Sequence, residues 1–245
     1  MYDFIKNMYD GKIIQSDKTV LDGKELDIYL PELKLAFEYN GIYWHSDIFK
    51  HKDYHINKTQ MCLEKGIQLI HVLENDWIHK KDIIKSIILS KLNIFKNTIS
   101  IDDCTINELY DDILVRDFLE ENDIDGFINS DIKIGLFYQH KLVSLILLNN
   151  NTLRCCNILN TKIENGIKTL FNYFINKYHY TEIIGHVDSS YDDGYLYKSL
   201  VFEYINDILP EYSYYNKQLF KVSSEKYCFK VNCCNKLVYK YKGSF

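Results

Sequence analysis

The chain has 245 residues, 47% hydrophobic and 26% charged, with 21 Tyr and 13 Phe against 10 Gly and 2 Pro. This excludes a disordered or repetitive chain and allows one large domain or two modest ones. A net charge of −5 and a pI near 5.9 provide no general basic surface for nucleic acid.

In chain order, residues 2–9 read as a short helix and "KIIQSDKTV" as a first strand. "KELDIYL" alternates, with Leu26, Ile28 and Leu30 on one side and Glu25, Asp27 and Tyr29 on the other, as a strand requires. Pro31-Glu32 breaks it, and "LKLAFEY" follows directly, so the two strands form a hairpin with Glu38 on the polar side of the second. "GIYWHS" is a loop, "YHINKTQMCLEK" has helical spacing, and "GIQLIHVL" is a nearly continuous apolar run typical of a buried strand. Asn75 or Asp76 is placed to cap a last helix, "WIHKKDIIKSIILSKL". The order is α-β-β-β-α-β-α, and "KNTISIDDCTIN" reads as a linker. Two domains are expected, 1–95 and 105–245. The second mixes strands ("KIGLFY", "LVSLILL", "LRCCNIL", "EIIGHV", "KLVYKYKGSF") with one helix, "GIKTLFNYFINKY".

Charge divides unevenly between them. Residues 1–98 carry 14 Lys and 14 Asp+Glu, and the remaining 15 Lys+Arg and 20 Asp+Glu fall in 99–245, which therefore holds the whole −5. The seven cysteines form no CxxC pair, so reduced, buried thiols are expected, with a weak metal reading for Cys228, Cys233 and Cys234. No apolar run reaches the ~18 residues of a membrane span, and the N-terminus is not a signal peptide. A soluble, intracellular (cytoplasmic) protein is expected, with monomer and homodimer both open.

Chemistry concentrates in the first half. Asp27 and Glu38 lie on adjacent strands of one hairpin, where side chains approach within about 5–8 Å and can share one ion. Pattern alone, since spaced carboxylates are common, favours two solvent-facing strand residues. His55 and Lys58, three apart, share a helix face.

The block "ELDIYLP" followed by "LAFEYNG" resembles the PD-(D/E)xK nuclease signature, with Asn40 where its lysine usually stands. The longer "LDGKELDIYLPELKLAFEYNGIYWHS" and "YHINKTQMCLEKGIQLIHVLENDW" resemble very-short-patch-repair-type endonucleases and the nuclease domains of free-standing phage homing endonucleases, over residues 2–92. The resemblance implies an α/β domain with a central mixed sheet that hydrolyses DNA with Mg²⁺ or Mn²⁺. In it Asp27, Glu38 and the Tyr39 carbonyl hold the metal, while His45, His55 and Lys58 move protons or stabilise charge. Lys58 stands in for the displaced lysine, and DNA is met by Asn40, Tyr43 and Trp44; outside the resemblance, a second-half cluster of Tyr and Lys residues that includes Lys217 and Lys221 is expected to contact phosphates. Such enzymes carry a glutamate in the helix before the hairpin; here only Asp3, Asp10 or Glu25 can take that place.

In the α+β second half, "NGIKTLFNYFINKY" and "GYLYKSLVF" resemble elements of GNAT-type acetyltransferases, with Asn165 beside the single Gly166 and Val201 at a glycine position. The main expectation is thus an endonuclease whose second domain targets DNA or regulates. The alternatives are a degenerate nuclease fold that binds DNA without cutting it, and an acyltransferase-like second domain.

Overall fold

The computed structural model describes residues 1–43, 54–209, 213–223, 229–231 and 234–243. The elements are α1 (Tyr2–Met8), β1 (Ile14–Leu21), β2 (Lys24–Leu30), β3 (Leu35–Asn40), α2 (Tyr54–Glu64), β4 (Gln68–Leu73), α3 (Glu74–His79), α4 (Lys81–Lys91), β5 (Asn97–Ile99), β6 (Cys104–Glu108) and α5 (Asp112–Asn122). They continue with β7 (Ile132–Tyr138), β8 (Lys141–Asn149), β9 (Thr152–Asn157), β10 (Thr161–Ile163), α6 (Gly166–Tyr178), β11 (Glu182–Asp188), α7 (Tyr195–Ser199), β12 (Glu203–Ile208), β13 (Ser213–Tyr215), β14 (Phe229–Val231) and β15 (Lys236–Lys242). The class is mixed α/β. Two compact units emerge: Met1–Ile84 with Asp188–Asp193 and Asp207–Lys236, and Lys85–Val187 with Gly194–Asn206 and Leu237–Phe245.

The first unit is built on a four-stranded sheet, β1-β2-β3-β4, antiparallel except for the parallel pair β3–β4. The β2–β3 hairpin turns through a short 3-10 segment at Pro31–Leu33, where Pro31 presets the backbone, and Lys34 closes it in the left-handed region. β3 is buried on both faces, so its expected polar side does not face water. The expected last helix is two, α3 and α4, broken at Lys80, and no side chain caps α3.

The second unit holds a seven-stranded sheet in the order β12-β15-β11-β9-β8-β7-β6. β8 explains the run "LVSLILL". Val143, Ile146 and Leu148 pack into the core under α6, while Leu142, Leu145 and Leu147 pack with Val115, Phe118 and Leu119 of α5. A strand covered on both faces loses its polar alternation. α6 presents Ile167, Leu170, Phe171, Phe174 and Ile175, a stripe at helical spacing. The segment read as a linker holds two strands: β5 pairs parallel with β10, and β6 pairs antiparallel with β7. Among the described residues no helix is long and apolar enough to cross a membrane.

Candidate functional site

In the first unit the hairpin register sets Ile28 opposite Phe37, which brings Asp27 and Glu38 face to face one step beyond. There each carboxylate accepts a backbone N–H from the opposite strand. Asp27 N donates to Glu38 Oε1 at 3.1 Å, and Tyr39 N donates to Asp27 Oδ2 at 2.7 Å. Lys58 reaches down from α2 and donates to Glu38 Oε2 at 2.5 Å, with both side chains almost fully buried. Burial raises the Glu38 carboxyl above its ordinary range, helped by the Asp27 charge and opposed by Lys58. Burial likewise raises Asp27, against the Tyr39 N–H.

A second polar chain adjoins this one. Asn40 Nδ2 lies 3.1 Å from His71 Nδ1, and His71 Nε2 lies 2.8 Å from Thr59 Oγ1, which is 3.7 Å from Cys234 Sγ. Asn40 Oδ1 is buried without a hydrogen-bond partner. Burial lowers the pKa of His71, but negative charge at Cys234 and Glu38 outweighs it and leaves it raised. His55 packs edge-on against His71 at 5.3 Å. The buried face of α2 is therefore His55, Lys58 and Cys62, with half-buried Thr59 beside them, rather than an apolar stripe. His71 stands within the apolar run "GIQLIHVL", where no spacing marks it. The polar residues at positions 55, 58 and 59 of one helix were the signal that this face is occupied by a network.

The expected site residues are thus partly gathered. Asp27, Glu38 and Lys58 meet, and Asn40 and His55 join through His71. Tyr39 lends its N–H to Asp27, and the Tyr43 side chain is exposed. Trp44, His45, Cys228 and Cys233 lie outside the described residues. Lys217 and Lys221 are exposed beside β13, and between them Phe220 stacks on His79 at 4.0 Å. None of the described cysteines, Cys62, Cys104, Cys155, Cys156 and Cys234, is in a disulfide.

The second unit has an opening of its own. β9 and β11 run parallel but pair only at Thr152–Ile184 and Leu153–Gly185, at the start of β9 and the middle of β11. Beyond that the two strands continue without pairing each other. Ile184 N donates to Asn151 O, so the β9 residues whose backbone faces β11 are odd-numbered, and Cys155 and Asn157 turn theirs into the gap. Tyr197 of α7 spans the opening. Its hydroxyl donates to Leu153 O at 2.8 Å, and its ring lies so close to Gly185 that a Cβ there would stand 2.3 Å away. Tyr239 stacks on its ring. Val201, just past α7, holds φ +65 although β-branched, where the sequence resemblance places a glycine. At the start of α6, Asn165 is left-handed at φ 58, and a Cβ on Gly166 would meet Ile163 at 2.6 Å. A groove of about 250 Å³ follows α6 from Lys168 past Asn172 and Asn176 to Ser199 and Val201.

No family model matches the chain, and no curated protein matches it. Among solved structures it is similar to the ribosomal-protein-S18-alanine N-acetyltransferase of Escherichia coli, at 12% identity and TM-score 0.39 over 58% of this chain and 95% of that one. It is also similar to an N-acetyltransferase of Staphylococcus aureus Mu50, at 9% and 0.38 over 57% and 98%. A third is a GNAT family acetyltransferase of Elizabethkingia anophelis with acetyl-CoA bound, at 16% and 0.39 over 58% and 99%.

These likenesses correct several expectations. The similar structures are acetyltransferases, so the identification as a PD-(D/E)xK, homing-type phage endonuclease falls, and with it the DNA-hydrolysing activity and the Mg²⁺ or Mn²⁺ cofactor. The first unit supplies a physical reason. Three of the four carboxylate oxygens of Asp27 and Glu38 already accept from protein donors, and burial favours the protonated acids. Among the described residues no group of three or more His, Cys, Asp or Glu side chains is arranged to hold a metal ion.

Proposed function

We propose that the second unit transfers an acyl group from an acyl-coenzyme A to an amine. The observation that carries this reading is the parallel pair β9–β11, joined at two positions and parted beyond them. Ligands of open α/β sheets enter where neighbouring strands part toward their carboxyl ends. The backbone of Cys155 and Asn157, which β11 does not pair, suits an amide-bearing arm laid into that gap. The start of α6 offers N–H groups to phosphate, with Asn165 and the tightly fitted Gly166 shaping the turn. The groove from Lys168 to Ser199 gives the rest of such a long donor a course along α6. Acetyl-coenzyme A is the donor that the "GYLYKSLVF" resemblance implies.

In this reading the amine nitrogen attacks the thioester carbonyl, the C–N bond forms and the C–S bond breaks. Sulfur leaves as thiolate and takes the Tyr197 hydroxyl proton, which Leu153 O accepts as a hydrogen bond before the donor binds. The new ammonium loses its extra proton to solvent, and the Tyr197 phenolate regains one from solvent. Calorimetric titration of the full chain with acetyl-coenzyme A tests binding, and release of free thiol in the presence of amines tests transfer. Tyr197→Phe is expected to keep binding and lower transfer by about 10²-fold. A wild-type chain that takes up no heat from acetyl-coenzyme A sinks the reading.

For the first unit we propose DNA as a partner, bound without cleavage. The favouring observation is exposed Phe220, stacked on His79 and flanked in sequence by exposed Lys217 and Lys221. An aromatic ring between two cations suits stacking on bases and contact with phosphate. Fluorescence anisotropy with a labelled single strand should show affinity falling with salt, and falling again on Phe220→Ser. Equal binding by that variant removes the proposal.

A further inference from the structure

The −5 charge of the chain is not spread over its surface. Residues 108–131, which contain α5, carry nine acidic side chains and one cation, Arg116, for a net of −8, so the remainder of the chain is net +3. The same helix has an apolar outer face at its start. Tyr110 is 85% exposed and Ile113 72%, with Leu114 beside them one turn on from Tyr110. Nothing in the packing of the unit uses these three. Val115, Phe118 and Leu119 already fill the contact with the sheet. Following the exposed row at i+4 spacing, Ile113 gives way to Asp117 and then Glu121, both exposed. The outer face therefore runs from apolar to acidic along its length.

Its far end is at the β9 strand. Asp123, the residue after α5, accepts from Arg154 Nε at 3.0 Å and from the Arg154 Nη2, and Arg154 stands between Leu153 and Cys155 where β9 leaves β11. A segment lying along α5 thus ends beside the opening, on the face of the sheet opposite α6.

We infer that the outer face of α5 docks a basic polypeptide segment, with one apolar anchor over Tyr110, Ile113 and Leu114 and lysines over Asp117 and Glu121, and that this segment belongs to the acyl acceptor. The identification as acceptor rests on the acyl-transfer reading above. Docking itself rests only on charge and exposure. An isolated patch of this size gains little from single surface ion pairs, so the apolar anchor has to supply the register and the acidic row the selectivity. An acidic acceptor is repelled by the same row.

The test uses the full chain and two fluorescein-labelled peptides, one with a single leucine among lysines and one with glutamates in place of the lysines. The lysine peptide should bind, with affinity falling as salt rises, and the glutamate peptide should not. Ile113→Ser and Asp117→Lys, both at exposed positions, should each weaken the lysine peptide by about tenfold or more with an unchanged circular dichroism spectrum. Equal binding of both peptides, or variants that bind like wild type, overturns the inference. Sedimentation velocity gives a further check. A wild-type dimer that Ile113→Ser converts to monomer assigns the face to a second copy and also overturns it. Titration with acetyl-coenzyme A runs in parallel. If the chain ignores the donor but binds the lysine peptide with the same dependence on Ile113 and Asp117, the transfer reading fails while the docking surface stands.

Discussion

Replacing Lys58 with methionine tests whether the first unit depends on its buried ion pair. Lys58 and Glu38 are each about 4% exposed at the side chain, and Asp27 lies directly across the hairpin from Glu38. Methionine fills most of the lysine volume but leaves Glu38 with one N–H donor, Asp27 N, and no cation. Breaking a buried pair on one side costs about 3–5 kcal/mol. In a chain of this length that corresponds to a fall in Tm of about 6–20 °C, at roughly 2–4 °C per kcal/mol. The loss must depend on pH in a defined direction. The Glu38 carboxyl is already raised above its unfolded value, chiefly by burial, and losing Lys58 raises it further. A carboxyl whose folded pKa is raised contributes stability below its unfolded pKa, near 4, and loses it as pH rises through the folded pKa. The variant should therefore be closest to wild type near pH 5 and furthest from it near pH 8. Adding Glu38→Leu should recover most of the loss, since an apolar pair of similar volume is often neutral against a buried ion pair. Urea unfolding followed by far-UV circular dichroism at both pH values reads all three variants. A loss under about 1 kcal/mol at pH 8, or one equal at the two pH values, refutes the burial argument.

Asp27→Asn should raise wild-type stability at pH 8 relative to pH 5, because Asp27 is raised by burial in the same way and the amide removes its titration; a pH profile unchanged from wild type contradicts this. Val201→Gly should stabilise the chain by about 1 kcal/mol, since a β-branched residue at φ +65 is strained and Val201 is largely exposed, so no packing is lost. A lower Tm for that variant would mean the strained turn is not held as described. Burial pushes the Cys62 thiol up to about 11 and Cys155 to about 12, and Cys156 higher still. Iodoacetamide at pH 8 should leave all three unmodified in the folded chain and modify them in urea, and rapid native labelling of Cys155 would show that β9 is open to solvent.

How much of this was legible depended on whether a segment's surroundings were local. β2, β3 and β8 were readable because alternation and unbroken apolar runs report the two faces of a strand directly. β6, in contrast, alternates half-buried and exposed residues, Cys104-Thr105-Ile106-Asn107-Glu108, with few strong apolar side chains, and so passed for a linker. β12 is exposed throughout, so no hydrophobic pattern marks it. The break at Lys80 lacks Pro or Gly, the residues that usually announce one. At the site, the pairing of Asp27 with Glu38 followed from the hairpin, and Lys58 followed from its helix position. His71, Thr59 and Cys234 did not, because Cys234 is 175 residues from Thr59 along the chain and only the folded unit brings them together. The resemblance that carried the nuclease expectation covered residues 2–92 and said nothing of the β9–β11 opening, which arises from strand order in the other unit.

The two units answer different physical demands. In the second, several unusual features serve a backbone position. Gly185 makes room for the Tyr197 ring beside the gap in the sheet, Gly166 sits against Ile163, and Val201 holds a glycine conformation. In the first, the unusual feature is chemical. α2 places His55, Lys58, Thr59 and Cys62 on the buried side, where leucines would pack with less desolvation cost. A fully bonded polar network fixes one register more sharply than an apolar face does, and here the network is not fully bonded, since Asn40 Oδ1 has no hydrogen-bond partner. Stability alone favours replacing Asn40 with an apolar residue of similar size. A Leu variant at Asn40 that gains stability would therefore locate the cost of this cluster in its polarity rather than in its packing. One that loses stability would show that the hydrogen bond to His71 outweighs the unsatisfied oxygen.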